Sequence, residues 1–204
     1  MALPPPEVTA EPLRPLLVII GPSASGKSSV VRELARRGVI RVHPTWTTRP
    51  CRDDEAGISV EHRFVTEAAF DQLEGAGFFV ATTTMFGLPY RYGLAPILLD
   101  AAGPIDTVML RAPFVARLAQ LAPTCVVYQI SDTAKRTARR LAERGTPQQE
   151  VAARMADNRA EVEAGRGIAR RVFVNEGPLS ALVDQVAVTL ASDVAQESRQ
   201  GGQS

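Results

Sequence analysis

The chain has 204 residues, of which 45% are hydrophobic and 22% charged, as is typical of a globular protein with one α/β domain. Its net charge of +1 gives no general basic surface, so no nucleic-acid partner is expected. No apolar run approaches the ~20 residues that span a bilayer, and the first residues lack the pattern of a signal peptide, so we expect a cytoplasmic protein without a membrane partner. The two distant cysteines are predicted to be reduced thiols.

Strand-like and helix-like segments alternate along the chain. Residues 1–12, rich in proline, are predicted to form a disordered arm, residues 13–191 the domain, and residues 192–204 a disordered tail. Strands are predicted at 16–20, 39–43, 107–110, 125–130 and 172–174, and helices at 28–37, 67–73, 132–144, 148–163 and 179–190. This order predicts an α/β fold with an open, mostly parallel sheet flanked by helices. The long polar stretch after residue 43 predicts a small inserted lobe, at about residues 44–95.

The segment Gly21-Pro22-Ser23-Ala24-Ser25-Gly26-Lys27-Ser28 fits the phosphate-binding pattern G-x-x-x-x-G-K-[ST] at every fixed position. It follows a predicted strand and opens a predicted helix, as this pattern requires. Its glycines let backbone N–H groups face the phosphates, and the helix adds the positive end of its dipole. Lys27 would reach the β- and γ-phosphates, and the Ser28 hydroxyl would ligate Mg²⁺. We expect the polyphosphate of a nucleotide to contact Gly21, Ser23, Ala24, Ser25, Gly26, Lys27, Ser28 and Ser29.

A second polar constellation is the segment TWTTRPCR, from Thr45 to Arg52. It places three threonine hydroxyls beside the guanidinium groups of Arg49 and Arg52. Because arginine binds phosphate oxygens with two parallel hydrogen bonds, this segment predicts a second phosphate site, separate from that of the donor. The alternative is a polar surface loop with two solvated arginines.

Together these motifs resemble the guanylate kinase family, over about residues 16–190. GPSASGKS and TWTTRPCR match the family's two phosphate motifs, with Thr45 in place of a serine. HRFVTEAAF, from His62 to Phe70, resembles the aromatic lobe motif, and Tyr90 or Tyr92 with Gly93 resembles the Tyr-Gly that ends it. RLAERGT, from Arg140 to Thr146, resembles the lid, and VFVN, ending at Asn175, the strand on the adenine side.

The resemblance implies a P-loop kinase fold with a lid at about residues 140–158. It also implies ATP as the phosphoryl donor, Mg²⁺ as the cofactor and a phosphorylated small molecule as the acceptor, in a monomer or homodimer. The implied acceptor site consists of Thr45, Arg49, Arg52, Tyr90 or Tyr92, and His62, which stands where the family has a tyrosine. The implied catalytic residues are Lys27, Arg140, Arg144 and Arg154, and Asn175 is implied at the ATP site.

The chain departs from this family where guanine is read. Ala81 replaces the family's glutamate, and Met109 and Arg111 replace two aspartates at a strand end. Asp106 is predicted at the start of that strand, too far back to substitute for them. Three hypotheses therefore stay open: a guanylate kinase, a sugar-phosphate kinase similar to the ribose 1,5-bisphosphate phosphokinases, and a phospho-ligand-binding module without catalysis.

Overall fold

The computed structural model describes residues 14–53, 55–84, 89–119, 125–143, 145 and 148–201. Their strands are β1 (Leu16–Ile20), β2 (Ile40–His43), β3 (Thr45–Thr47), β4 (His62–Phe64), β5 (Ala81–Thr84), β6 (Arg91–Leu94), β7 (Ile105–Met109), β8 (Cys125–Ser131) and β9 (Arg171–Val174). Their helices are α1 (Lys27–Arg36), α2 (Glu67–Gly75), α3 (Ala112–Ala119), α4 (Ala134–Glu143), α5 (Gln148–Arg166) and α6 (Leu179–Gly201). The predicted N-terminal arm, Arg144 and Thr146 lie outside the described residues.

Five strands form the main sheet in the order β2-β7-β1-β8-β9, and every neighbouring pair is parallel. The five residues of β1 are at most 1% exposed. Leu17 and Ile19 pack with α1 and α6, whereas Leu16, Val18 and Ile20 pack on the other face with α3. A strand covered on both faces needs apolar residues without alternation, which explains the run LLVII. The predicted α/β fold with a mostly parallel sheet is confirmed.

The inserted lobe contains a second sheet in the order β4-β3-β6-β5. β3 pairs in parallel with β4 and antiparallel with β6, and β5 pairs antiparallel with β6. Phe70 of α2 stacks on Phe79, with ring centroids 4.7 Å apart, and Phe78 and Trp46 meet Phe79 edge to face. The lobe therefore has an aromatic core of its own, which fixes the positions of the polar residues on β3 and β4.

Helix α6 continues to Gly201, beyond the predicted end at Leu190 and into the segment 192–204 that was predicted to be a disordered tail. Asp193 holds the first turn beyond Leu190 in place, because its carboxylate is only 1% exposed and needs partners. The hydroxyl of Tyr128 donates to Asp193 Oδ2 at 2.7 Å, and Arg171 Nη2 donates to Oδ1 at 2.7 Å. No helix in the described part of the chain is long and apolar enough to cross a bilayer.

Candidate active site

The phosphate-binding loop lies between β1 and α1, at the carboxyl end of the central strand, where ligands of parallel sheets bind. Three of its residues have left-handed backbone torsions: Gly21 with φ 138°, Ala24 with φ 61° and Gly26 with φ 94°. Lys27 is the first residue of α1, and its side chain is 9% exposed. Its Nζ donates to the carbonyl oxygen of Pro22 at 2.6 Å, so the ammonium lies over the loop.

Two buried asparagines brace this loop. The backbone N–H of Ser23 donates to Oδ1 of Asn158 at 2.9 Å, and Nδ2 of Asn158 donates back to the Ser23 carbonyl at 3.2 Å. Nδ2 of Asn175 donates to the carbonyl of Ser25 at 2.9 Å. Asn175 was predicted at the ATP site, and it lies against the loop with 3% of its surface exposed. Asn158 was not predicted, because one asparagine among the many polar residues of the long helix α5 resembles an ordinary surface position.

Arg140 of α4 reaches the same loop. Its Nη1 donates to the carbonyl of Ala24 at 2.9 Å and lies 2.8 Å from Oδ2 of Asp132. The Asp132 side chain is fully buried, so it orients the guanidinium and compensates its charge. Arg140 therefore lies where a lid residue can meet a bound phosphate.

The two arginines of the predicted acceptor motif converge on Glu55, which is 5% exposed. Arg49 Nη1 and Nη2 donate to the two Glu55 carboxylate oxygens at 2.9 and 3.0 Å, and Arg52 Nη1 donates at 3.3 Å. Burial raises the pKa of Glu55, but the hydrogen bonds and charge of Arg49 outweigh it and leave the pKa below its ordinary value. The charged carboxylate thus holds both guanidinium groups at one position. Glu55 was not predicted, because its spacing from the arginines carries no recognisable signal.

His62 of β4 lies beside this arginine pair. Its Nδ1 and the hydroxyl of Thr45 share a hydrogen bond of 2.9 Å, and its ring centroid is 6.5 Å from that of Tyr92. Burial, followed by the charge of Arg49, lowers the pKa of His62 to about 4, although the carboxylates of Glu55 and Glu61 act in the opposite direction. His62 is therefore neutral near pH 7 and presents a neutral hydrogen-bonding ring to the site.

We expect His62 to destabilise the folded chain as the pH falls. The unfolded state binds a proton at about pH 6.5, whereas the folded state binds it only near pH 4. Stability therefore rises with pH through this window, and the contribution of His62 is complete above it. Urea unfolding at pH 5 and pH 7 should show a smaller acid-induced loss of unfolding free energy in His62→Gln than in the wild type. An equal loss in both proteins would contradict this pKa.

The carboxyl end of β7 completes the site. Arg111 has a side chain that is 12% exposed, with its Nε 3.0 Å from Oε2 of Glu161 and its Nη1 3.4 Å from the Ser23 hydroxyl. Asp106 lies at the other end of β7, with its Oδ1 2.7 Å from both Arg41 Nε and His43 Nε2. As expected from the sequence, Asp106 does not supply a carboxylate at the site.

One cavity joins these parts. It is lined by loop and α1 residues, by residues of the inserted lobe and by residues after β7: Ser23, Ala24, Ser25, Gly26, Lys27, Ser28, Ser29, Thr45, Arg49, Arg52, Glu55, His62, Tyr92, Met109, Leu110, Arg111 and Phe114. Most predicted donor and acceptor residues thus share one space. Of the two candidate tyrosines Tyr92 lines it, whereas Tyr90 and Arg154 are not among its lining residues.

A magnesium site can be judged from the side chains present. No group of three or more His, Cys, Asp or Glu side chains in the described ranges could hold a metal by itself. Ser28 lines the cavity near the buried carboxylate of Glu61, which Arg32 holds at 2.7 Å. Burial raises the pKa of Glu61, but the hydrogen bonds of Arg32 and, to a smaller degree, the nearby Ser28 hydroxyl leave it below its ordinary value. Because Mg²⁺ in nucleotide sites takes few protein ligands and keeps phosphate oxygens and waters, Ser28 fits such a role. Glu61 was not predicted as a residue of the site.

Comparison with known proteins agrees with this arrangement. No protein-family model matches the chain. The chain is 41% identical over 81 residues to a guanylate kinase of Nitrosococcus oceani, which covers 39% of this chain and 38% of that protein. It is 38% identical over 93 residues to a guanylate kinase of Thermobifida fusca, with 44% and 47% covered. The chain therefore spans less than half the length of the curated relatives it matches.

Solved structures extend the likeness to most of the chain. A guanylate kinase from Anaplasma phagocytophilum superposes with a TM-score of 0.65 at 18% identity, covering 89% of this chain and 86% of that one. A gluconokinase from Sinorhizobium meliloti 1021 gives a TM-score of 0.51 at 16% identity, covering 92% and 98%. Fold and loop together define a parallel α/β sheet that carries a phosphate-binding loop at the carboxyl end of its central strand. The chain's predicted resemblance to the guanylate kinases is confirmed, over the matched residues in sequence and over most of the chain in fold.

Proposed function

We propose that the chain is a phosphotransferase that moves the γ-phosphoryl group of ATP onto the phosphate of a small acceptor, with GMP as the default acceptor. The observation that carries the proposal is the shared cavity, in which the loop residue Lys27 and the lobe residues Arg49 and Arg52 face the same space. A donor site and a second phosphate site that open on one cavity are what direct transfer requires.

In the proposed reaction, an oxygen of the acceptor phosphate attacks the γ-phosphorus of ATP. The bond from that phosphorus to the β–γ bridging oxygen breaks, and ADP leaves with the electron pair. Lys27 and the N–H groups of the loop hold the donor, while Arg49 and Arg52 hold the acceptor phosphate and reduce its repulsion from the donor. Phosphoryl transfer depends mainly on such positioning and charge neutralisation. Arg140 contributes its positive charge from the predicted lid. The roles of Arg144 and Arg154 remain predictions.

Magnesium would be held by the Ser28 hydroxyl together with phosphate oxygens of the nucleotide. When bound, it supplies positive charge that screens the donor phosphates. The carboxylate of Glu61 is fixed by Arg32, and the nearby Ser28 hydroxyl contributes to keeping that carboxylate charged. We therefore expect Glu61 to orient Ser28.

A sugar phosphate is the second candidate acceptor. It is favoured by the residues at the end of β7, where Met109 and Arg111 line the cavity in place of carboxylates that could read a base. A pure binding module is the candidate of another class. The complete loop argues against that module, because phospho-ligand binding at the lobe alone needs neither Lys27 nor Ser28.

An ADP-release assay with GMP, AMP, UMP and ribose 1,5-bisphosphate separates these candidates. Turnover with GMP alone supports the guanylate kinase proposal, and turnover with the bisphosphate alone supports the sugar-phosphate kinase. ATP binding without turnover on any of the four acceptors would count against both enzymes and favour the binding module.

Arg49→Ala should raise the KM for the acceptor about 10- to 100-fold, because it removes charge-assisted hydrogen bonds to the acceptor phosphate. The KM for ATP should change little, since Arg49 lies in the lobe and not in the loop. Steady-state kinetics with each substrate varied in turn would measure both constants. Arg63→Ala is the matched control, because Arg63 is an exposed arginine on the neighbouring strand β4. An unchanged acceptor KM in Arg49→Ala would contradict the phosphate site.

A further inference from the structure

Arg111 is a buried cation at the boundary between the donor loop and the acceptor lobe. It follows β7 at the carboxyl edge of the main sheet and lines the same cavity as Lys27 and Arg49. Its Nη1 lies 3.4 Å from the hydroxyl of Ser23 in the donor loop. A guanidinium with only 12% of its side chain exposed is an uncommon feature unless its charge is used or compensated.

The position of Lys27 shows which end of the donor faces Arg111. In loops of this pattern the lysine reaches the β- and γ-phosphates. Here Nζ of Lys27 lies against the Pro22 carbonyl, one residue before Ser23. The Pro22–Ser23 segment is therefore the part of the loop beside the γ-phosphate, and Arg111 lies next to that segment.

Glu161 of α5 holds Arg111 in this orientation. Its Oε2 lies 3.0 Å from Nε of Arg111, and its Oε1 accepts the backbone N–H of Ala112 at 2.9 Å. The Glu161 side chain is 2% exposed, so the carboxylate is fixed by its surroundings. It engages the Nε edge of the guanidinium, while Nη1 lies on the side of the loop. Burial lowers the pKa of Arg111, whereas the charge of Glu161 acts to raise it.

We propose that Arg111 is a catalytic residue that binds the transferring γ-phosphoryl group and stabilises its charge during transfer. This proposal rests on the proposed function above. It gives Arg111 a role at the carboxyl end of β7, where the strand itself has no carboxylate side chains. A guanidinium suits this role because its planar fork binds phosphate oxygens in pairs and stays charged. Arginines that contact a transferring phosphoryl group contribute about 10³- to 10⁵-fold in kcat.

The test compares the affinities for ATP and ADP, which differ only in the γ-phosphate. Arg111→Met should weaken ATP binding about 10- to 100-fold and leave ADP binding nearly unchanged, because one charge-assisted contact to the γ-phosphate is lost. Its kcat should fall by about 10³-fold or more. Arg111→Lys keeps the charge and should recover part of the ATP affinity.

Two further variants control for loss of folding and for loss of an ion pair. Arg111→Met leaves Glu161 buried without its cation, so the double variant Arg111→Met/Glu161→Gln removes both charges and should fold even if the single variant does not. Arg41→Met is the matched control, because Arg41 also forms an ion pair with a buried carboxylate, that of Asp106 near the start of β7. It should keep the wild-type ratio of ATP to ADP affinity.

The proposal is overturned if a folded double variant has the wild-type ratio of ATP affinity to ADP affinity. Arg111 would then only form the ion pair with Glu161. A change confined to the acceptor KM would overturn it as well. Failure of the proposed function looks different: the wild type would then bind neither nucleotide, or would bind ATP without turnover on any acceptor.

Discussion

Lys27→Met should lower the kcat of phosphoryl transfer by at least about 10²- to 10³-fold. The ammonium group lies over the loop with 9% of the residue exposed and its Nζ 2.6 Å from the Pro22 carbonyl. Methionine keeps the length of the side chain but removes the charge that we propose faces the β- and γ-phosphates. ADP release with saturating acceptor would measure the loss.

Lys135→Met is the control for this experiment. Lys135 lies on α4 and is exposed, so the variant removes the same charge away from the cavity. It should keep the wild-type kcat within about twofold, since isolated surface charges contribute little. Activity that survived Lys27→Met would mean that the loop does not hold the donor.

Gly21→Ala should lower the free energy of unfolding far more than Gly38→Ala, although both variants add one methyl group. A Cβ built on Gly21 would lie 2.0 Å from the carbonyl oxygen of Ile130, a backbone atom of β8 that cannot turn away. The φ of 138° adds strain for any residue with a side chain. We expect a loss of about 4 kcal/mol or more in the free energy of unfolding, and a fall of roughly 10 °C in Tm.

Gly38→Ala separates the effect of the close contact from the effect of the positive φ. Gly38 has a φ of 70°, and nothing lies within 4 Å of a Cβ built there. That variant should lose only about 1–2 kcal/mol, the usual cost of a left-handed residue with a side chain. If urea unfolding gave both variants the same loss, the close contact between Gly21 and β8 would be refuted.

Local patterns made the donor half of the site predictable. The strand at 16–20, the loop pattern and the start of α1 adjoin in sequence, so one continuous stretch determines their geometry. The run LLVII showed a strand covered on both faces, and the loop lies at its carboxyl end as expected. Contacts such as that of Asn158 with Ser23 were invisible, because 135 residues separate the partners and an asparagine has no pattern of its own.

The acceptor half was predicted only in part. Arg49 and Arg52 were predicted from the segment TWTTRPCR, where they stand beside threonine hydroxyls. The four strands around them were missed, because strands of three or four residues give too short an alternation to recognise. The carboxylate of Glu55, which holds both arginines, depends on the turn between β3 and β4. The partner of Arg111 lies on α5, which no local signal could link to the end of β7.

We propose that the inserted lobe holds a phosphate that receives the phosphoryl group. Phosphorus NMR of the products of full turnover tests it most directly, with ATP and each acceptor of the panel. We predict a new phosphoanhydride signal, in which the acceptor's own phosphorus couples to a second phosphorus. A new phosphate ester on an acceptor hydroxyl, with the acceptor's phosphate unchanged, would contradict the account.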